Sequence, residues 1–562
     1  MGSKQMKGFL TLVLSLAIAL SMAACSENSN GNGSTEGDSS TPAPSAPADA
    51  TTETEGITFP LPEAVTFTIA GVNGTDGQNP EETGFFKKLS EKTNVNINYI
   101  SLGADAAGAI EKLNVLLGTE DAPDAIMGAS AMNETFLALY AKEGYLVAMN
   151  QYLNDPKIMP VFNSRVIGEN PDILKGITSP DGNIYSLPYI NQIPGNYLES
   201  PIWINKVWLD NLELSVPTTL EELENVMAAF ATEDANGNGD PADEIPLLAR
   251  TGAGFEHLEA WLSLWGIPTK DSTFENFVFV KDGNVIFAPT TEEYKAYIKT
   301  MQKWYENKWL WNEYFTGSPQ TFSAIQNDAG AAKYGIITAK NAAGNFADQY
   351  IAILPPVVEG YQPKFYLNPA YLTGSKGQFE LTSNSKNPEI LMAFIDQFYL
   401  MENLLEAYNG VANEDPRLTL DNGVYKVNTI PATELANIPS PFRNYFSNNL
   451  PGAVLESDYM SGKIEMSATD QLKGQTYALY DEAGVINSEV WPRPYLDPED
   501  ATKLNEMRTD IFNTVSKFRA SWVTGQSDID QEWDGYLSSL QSMRVDELTA
   551  IMQKTYDNYM SN

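Results

Sequence analysis

An α/β fold is predicted by two patterns: short segments in which apolar residues alternate with polar ones, and segments of helical character placed between them. In "VTFTIAG" Val65, Phe67 and Ile69 share one face, "EETGFFKKLSEKT" has helical character, and "VNINYI" alternates again at Val95, Ile97 and Tyr99. "AIEKLNVLLG" then leads into the short apolar run "DAIMG". Strand, helix and strand repeated in this way predict a mostly parallel sheet, since parallel neighbours need a crossover connection that a helix supplies.

Further along, three helix starts carry capping signals. "VPTTLEELENVMAAF" offers Thr219 and Glu222 as a capping box, and "APTTEEYKAYIKTMQKWY" offers Thr290 and Glu293. The second continues with Tyr294, Tyr297, Ile298, Met301, Trp304 and Tyr305 at helical spacing. In "SKNPEILMAFIDQFYL" Asn387 can cap, Pro388 suits the first turn, and Ile390, Leu391, Phe394, Ile395 and Phe398 form the stripe to be buried. After Asp421 frequent Pro and Asn obscure the pattern until the C-terminal helices, and no internal repeat is evident.

The chain has 562 residues, 43% of them hydrophobic, enough for two or more substantial lobes. With 35 basic residues against 73 acidic ones, its net charge of -38 argues against nucleic acid or an anionic lipid surface as a general partner. One histidine and one cysteine exclude a disulfide, a thiolate metal cluster and a zinc site built from several imidazoles. P-loop, dinucleotide and GxSxG signatures are absent from the sequence.

The first 25 residues read as a targeting segment: Lys4 and Lys7 precede the apolar run "GFLTLVLSLAIALSM", and "MAAC" ends at Cys25. Ala-Ala-Cys after such a run resembles the lipobox of bacterial lipoproteins, whose thiol carries a diacylglycerol anchor; the alternative is an ordinary signal peptide with an incidental cysteine. Residues 26–59 begin "SENSNGNGSTEGDSSTPAPSAPADA", too poor in large apolar groups to offset the entropy of ordering, and are expected to form a tether.

The loop "EDANGNGDPADEIP" concentrates acidic side chains, asparagines and glycines. Counting Asp234 as position 1, side-chain oxygens recur at Asn236 and Asn238, Gly239 permits a sharp turn, and Asp240 falls where an EF-hand loop uses a main-chain carbonyl. At the far end Ile245 holds position 12 while Asp243 and Glu244 come early, so a helix-loop-helix calcium sensor is not implied. The order suits a hard cation; an Asx-rich turn with nothing bound is the alternative.

Several longer stretches, among them "KLNVLLGTEDAPDAIMG", "DGNIYSLPY", "WLDNLELSVPTTLEEL", "NGNGDPADEIPL", "DGNVIFAPTTEEYKAYIKTMQKWYENKWL" and the terminal "ASWVTGQSDIDQEWDGYLSSLQSMRVDELTAIMQKTYDNY", resemble extracellular solute-binding lipoproteins of carbohydrate ABC importers, the long Gram-positive type above all. The resemblance implies a two-lobe periplasmic-binding-protein-like fold of type II, each lobe a mostly parallel sheet flanked by helices, closing on a sugar between them. Lobe one is then expected at 60–190 and 375–410, and lobe two at 191–374 and 411–562. It further implies one structural calcium at Asp234, Asn236, Asn238, Asp240, Asp243 and Glu244, and a lipid on Cys25 as the sole membrane contact. The partners it implies are an oligosaccharide and the importer's permease subunits, with the receptor itself monomeric.

Sugar rings stack on Trp and Tyr while their hydroxyls meet polar side chains. Tyr189, Asn191 and Gln192 sit where the chain should leave lobe one, and Asn73 lies in the glycine-rich turn after the first strand, as binding residues do in open α/β sheets. In "GFEHLEAWLSLWG" helical spacing gathers Phe255, Leu258, Leu262 and Trp265 on one face. It leaves His257 about 120° away, towards solvent, and Trp261 about 80° off, able to flank the cleft. Arg443, Tyr445 and Arg493 complete the candidate ligand residues. A non-catalytic receptor is the favoured reading, against a tethered polysaccharide-degrading enzyme or a sugar sensor without a transport role.

Overall fold

The alternation in the first two predicted strands places side chains as expected. In β1 (Val65–Gly71) Phe67 and Ile69 are buried, and in β2 (Val95–Ser101) Val95, Ile97 and Tyr99 are buried between exposed Asn96 and Asn98. The remaining strands of the first half are β3 (Ala125–Met127), β4 (Leu187–Asn191), β5 (Ile202–Asn205), β6 (Ile245–Leu247), β7 (Val278–Lys281) and β8 (Asn284–Phe287). Then follow β9 (Tyr334–Thr338), β10 (Tyr350–Ile353), β11 (Ser375–Leu381), β12 (Leu418–Asp421), β13 (Val424–Val427), β14 (Gly452–Val454) and β15 (Ile464–Glu465). The computed structural model describes residues 56–72, 79–103, 106–128, 134–251, 256–270, 277–428, 430 and 450–561. All of them belong to one body, Glu55–Asn562.

Two sheets organise that body. The first has the order β14-β4-β11-β3-β1-β2, with β1 parallel to both β2 and β3, β14 parallel to β4, and β11 antiparallel to both its neighbours. β14 thus joins lobe one, although the span 411–562 was expected to belong to lobe two. The second sheet, β10-β5-β9-β6, pairs β6 in parallel with β9 but β5 antiparallel to both β9 and β10. It is therefore not the mostly parallel sheet expected of lobe two. Connectivity explains this: β5 starts at the junction with lobe one and runs away from it, whereas β10 ends where the chain turns back. The β7-β8 hairpin and a small β12-β13-β15 sheet are peripheral to these two.

Helices cover the sheets with the stripes their spacing dictates. In Glu292–Glu306 the side chains of Tyr294, Tyr297, Ile298, Met301 and Trp304 are buried, each contributing about 1.5–3 kcal/mol relative to exposure. Thr291 caps this helix by accepting from the Tyr294 N–H at 3.2 Å, one residue later than expected, because Thr290 ends a 3-10 turn containing Pro289 and donates to the Phe287 carbonyl at 2.8 Å. Thr219 caps Leu220–Phe230 as expected, but the Glu222 carboxylate reaches past it to the N–H and hydroxyl of Thr218. The C-terminal helices Pro498–Val523, Ile529–Ser542 and Val545–Ser561 pack into the same lobe-two core through Met507, Ile511, Trp522, Tyr536 and Leu548.

One strand of lobe one carries a buried acid. On β11, Phe379 and Leu381 enter the apolar core, and Glu380, pointing to the opposite face, is fully buried. Ser186 donates to Glu380 at 2.8 Å and accepts from the Gly377 N–H at 2.8 Å, but the second Glu380 carboxylate oxygen has no hydrogen-bond partner among the described residues. Burial pushes this carboxyl up to about 8. The folded state therefore holds a proton that the unfolded chain releases near pH 4.5. The stabilisation is complete below that pH, declines as the pH rises towards 8, and is gone above it. Unfolding free energy should fall over this window at up to about 1.4 kcal/mol per pH unit from Glu380, and Glu380→Gln should flatten the slope. Denaturant titrations across the window that show equal slopes in both proteins would refute the assignment.

Candidate ligand-binding site

The lobes are joined where backbone segments cross. Residues 192–201 lead from β4 to β5, residues 354–374 return from β10 to β11, and residues 455–467 lead from β14 to the helix Ala468–Glu482. The first two pair with each other: Leu198 and Leu367 form an antiparallel bridge, and the Asn368 N–H donates to the Tyr197 carbonyl at 3.0 Å. The third is fastened to both. Tyr371 donates its hydroxyl proton to Glu456 at 2.9 Å, and Gln192 donates its amide to the Tyr371 carbonyl at 3.3 Å while accepting from the Glu456 N–H at 3.5 Å. Gly195 lets the helix come close: its φ is +78°, and a Cβ there would stand 2.4 Å from the Lys473 carbonyl carbon.

A cavity of about 130 Å³ opens at this junction. Tyr189, Asn191 and Ser375 line it from lobe one, Asn196, Tyr197, Asn368 and Tyr371 from the crossing segments, and Lys340, just past β9, from lobe two. Tyr197 packs against Tyr371 with ring centroids 3.9 Å apart and meets Tyr477 edge-on at 4.6 Å. Tyr189 receives a hydrogen bond from the Asn191 amide at 3.0 Å and is pushed up to about 12 by burial, so it is a neutral phenol at any physiological pH. Beneath Lys340 lies Glu199, only 1% exposed, which meets the Lys270 ammonium at 2.6 Å, the Lys340 ammonium at 3.4 Å and the Asn368 amide at 2.6 Å. Burial alone would raise its pKa, but the charges of Lys270 and Lys340 hold it below the usual carboxylate range. Aromatic faces beside amide and ammonium donors suit a polyhydroxylated ligand, with hydroxyls to bond and ring faces to stack.

The acidic loop of lobe two is a second organised feature. Asp234 accepts from the N–H groups of Asn238 and Gly239 at 3.0 and 2.9 Å, Asn236 from Asn238 at 2.9 Å, and Asn238 from Asp240 at 2.8 Å. Both asparagine amides donate to Asp243, at 2.9 and 2.8 Å, and Lys333 pairs with it directly. Burial would raise Asp243, yet these donors hold it below the ordinary range. Glu244 moves the other way, raised by burial and then by the charges of Asp243 and Asp234, and one of its oxygens is buried without a hydrogen-bond partner among the described residues. Among those residues no group of three or more His, Cys, Asp or Glu side chains is placed to hold a metal ion. A cation here would need asparagine and main-chain oxygens as well.

Comparison with known proteins decides the family. The family model for bacterial extracellular solute-binding proteins matches residues 77–403, more than half of the chain. The chain belongs to the bacterial extracellular solute-binding proteins. A curated relative, the fructooligosaccharide ABC transporter substrate-binding protein FusA of Streptococcus pneumoniae, is 28% identical over 523 residues, covering 90% of this chain and 93% of FusA. An HMO-binding ABC-transporter-associated solute-binding protein from Bifidobacterium longum infantis aligns with a TM-score of 0.75 at 25% identity, over 89% of this chain and 99% of its own. A solved structure of a FusA EF-hand mutant in complex with fructo-nystose aligns with a TM-score of 0.74 at 25% identity, over 88% and 100% of the two chains.

In this solute-binding protein the residues singled out from sequence are dispersed. Tyr189 and Asn191 line the junction cavity, Gln192 braces the crossing segments beside it, and Arg493 offers its carbonyl to the Lys376 ammonium at 2.5 Å on the lobe-one side. Asn73, Arg443, Tyr445 and Cys25 lie outside the described residues. Sequence reasoning missed Tyr197, Lys340, Asn368 and Tyr371. "YLNPAYLTG" was a usable signal for two of these, since it directly precedes the expected return strand.

Trp261 and His257 are placed differently from expectation. His257 is fully buried, and Trp261 is 1% exposed with its ring edge-on to Trp304 at 5.1 Å. The segment Leu258–Trp265 is a 3-10 helix rather than an α-helix, so angular positions computed at 100° per residue do not apply. It is also enclosed on every side, and all eight of its residues are buried. Trp261 is therefore core. Trp261→Ala should lower unfolding free energy by about 3–5 kcal/mol, measured by denaturant titration, and a variant of unchanged stability would contradict this placement.

Proposed function

We propose that the protein is a non-catalytic receptor that captures an oligosaccharide between its lobes and presents it to the permease subunits of an ABC importer. The junction cavity carries this reading: tyrosines and asparagines from the crossing segments stand beside groups from both lobes, so a ligand held there favours the arrangement in which both sets of contacts are made. The names of the relatives, a fructooligosaccharide transporter's binding protein and an HMO-binding protein, support the ligand class. No step in this function asks the site for an acid and base pair. Ile57 and Phe59, expected in the tether, pack against the lobe-one core, so a lipid on Cys25 with the polar stretch 26–55 as the leash would hold the receptor near its permease; a diacylated thiol supplies the two chains that firm attachment needs.

Binding is testable without knowing the sugar. In a thermal-shift screen of oligosaccharides, a ligand at 100 times its dissociation constant should add about 2.7 kcal/mol of stability. Asn191→Ala should weaken that ligand about 5- to 30-fold, as expected for loss of a hydrogen bond at a desolvated site. Undiminished affinity in the variant, or sugar products accumulating on long incubation, would overturn the proposal.

The loop of lobe two is proposed to take one structural calcium. Asp234, Asn236, Asn238, Glu244 and the Asp240 carbonyl would supply oxygens, and Asp243 would join them on parting from Lys333. The unpartnered Glu244 oxygen and its raised pKa fit a half-buried acid that no cation contacts directly, Lys333 being paired with Asp243. The EF-hand named for the pneumococcal relative points the same way. Chelation should then lower the melting temperature while leaving sugar affinity, measured on folded protein, within a few-fold of its original value. Equal melting curves with calcium and with chelator would count against this.

A further inference from the structure

The charges around the junction cavity bear on which sugar it takes. Among the described residues that line the cavity, Lys340 is the only charged one, in a chain with a net charge of -38. The Glu199 carboxylate below it is shared: Lys270 is the nearer partner at 2.6 Å and Lys340 the more distant at 3.4 Å. A third ammonium adjoins the same wall, for Lys473 donates to Asn196, a lining residue, at 3.4 Å and lies 3.6 Å from Asp470. Burial holds Lys340 below the ordinary lysine range even with Glu199 beside it, and the charges of Lys270 and Lys473 add to that depression. Three lysines and the carboxylates of Glu199, Asp470 and Glu456 thus come together where the lobes join, and of these six only Lys340 lines the cavity.

Building on the oligosaccharide reading above, we infer that the cavity takes a sugar bearing a carboxylate, with Lys340 as its counter-ion. An acidic group entering the cavity gains a charge-assisted hydrogen bond in a partly desolvated site, where such bonds are about twice as strong as neutral ones. It meets no lining carboxylate among the described residues: behind the wall Glu199 is shared by two lysines and Glu456 takes the Tyr371 hydroxyl proton at 2.9 Å, while the distant acidic surface is screened over about 8 Å at physiological ionic strength. A neutral sugar would take hydrogen bonds from the same ammonium but leave the charge of Lys340 as it was. The pairing therefore acts as a selectivity element within an otherwise general sugar site.

The test uses matched ligands: short oligogalacturonides and the methyl esters of the same oligomers, titrated by calorimetry at low and at high salt. At low salt the acid should bind about tenfold or more tighter than its ester, and this preference should shrink as salt rises. Lys340→Met should bring the ratio of acid to ester affinity towards one, whereas Lys340→Arg should keep most of it. An ester that binds as tightly as its acid, or a Lys340→Met protein that retains the preference, overturns the inference and leaves the receptor reading standing. If neither form binds, and no neutral oligosaccharide in the thermal-shift screen does, the receptor reading falls and the inference with it.

Discussion

Glu199 is a carboxylate buried where two crossing segments meet, and the arrangement of the junction depends on its being satisfied. Burying an unpaired charge costs several kcal/mol, so Lys270, Lys340 and the Asn368 amide must all be in place around it. These partners come from separate parts of the chain. Lys270 follows the buried 3-10 segment of lobe two, Lys340 follows β9, and Asn368 lies on the returning segment, opposite Tyr197. One carboxylate thus fixes the mutual positions of the groups that wall the cavity. The tyrosines around it then have little freedom, since Tyr197, Tyr371 and Tyr477 pack on one another and Tyr371 is tied to Glu456.

The same economy of charge recurs elsewhere in the lobes. Buried Glu259 in the lobe-two core is matched by Arg519 from the long C-terminal helix, with the Tyr314 hydroxyl donating at 3.3 Å. In lobe one, Asp458 pairs with Arg165, which also donates to the Ala453 carbonyl at 3.0 Å and so fastens the segment after β14 to the first sheet. Most acidic residues lie on the surface, where solvent and salt screen them, and Glu199, Glu259 and Asp458 inside are each met by a cation. Glu380 departs from this pattern by staying protonated instead.

Sequence legibility followed how local each determinant was. β1, β2 and the helix Glu292–Glu306 were readable because their burial follows directly from periods of 2 and 3.6, and Pro388 opens the helix Pro388–Asp396 as expected, although the Asn387 side chain makes no capping bond. The segment around Trp261 was misjudged because its composition suits an amphipathic helix, while its 3-10 geometry and its enclosure by other elements are tertiary facts. The pairing directions of lobe two were hidden for a related reason: β5 and β10 are antiparallel because of where the chain enters and leaves, which no local pattern encodes. Of the cavity, the residues just after β4 could be anticipated from chain order. Asn368 had only its place before the expected return strand to mark it, and Lys340 had no signal, since what brings it to the cavity is a carboxylate more than 100 residues away.

The interleaving of the lobes also governs the order in which the chain can become native. The first sheet holds β1 to β4 from the early part of the chain, but its fifth strand, β11, arrives only after much of lobe two has been made, and its edge strand β14 later still. Until residue 381 is available, β3 and β4 have no strand between them to pair with, and the N-terminal segment cannot close its core. Such long separations in sequence slow folding, because the entropy of closing the intervening chain must be overcome before the contacts that reward it can form. A chain built this way leaves lobe one unfinished for most of its synthesis, because the sheet is complete only once residues 375–381 and 452–454 have been made.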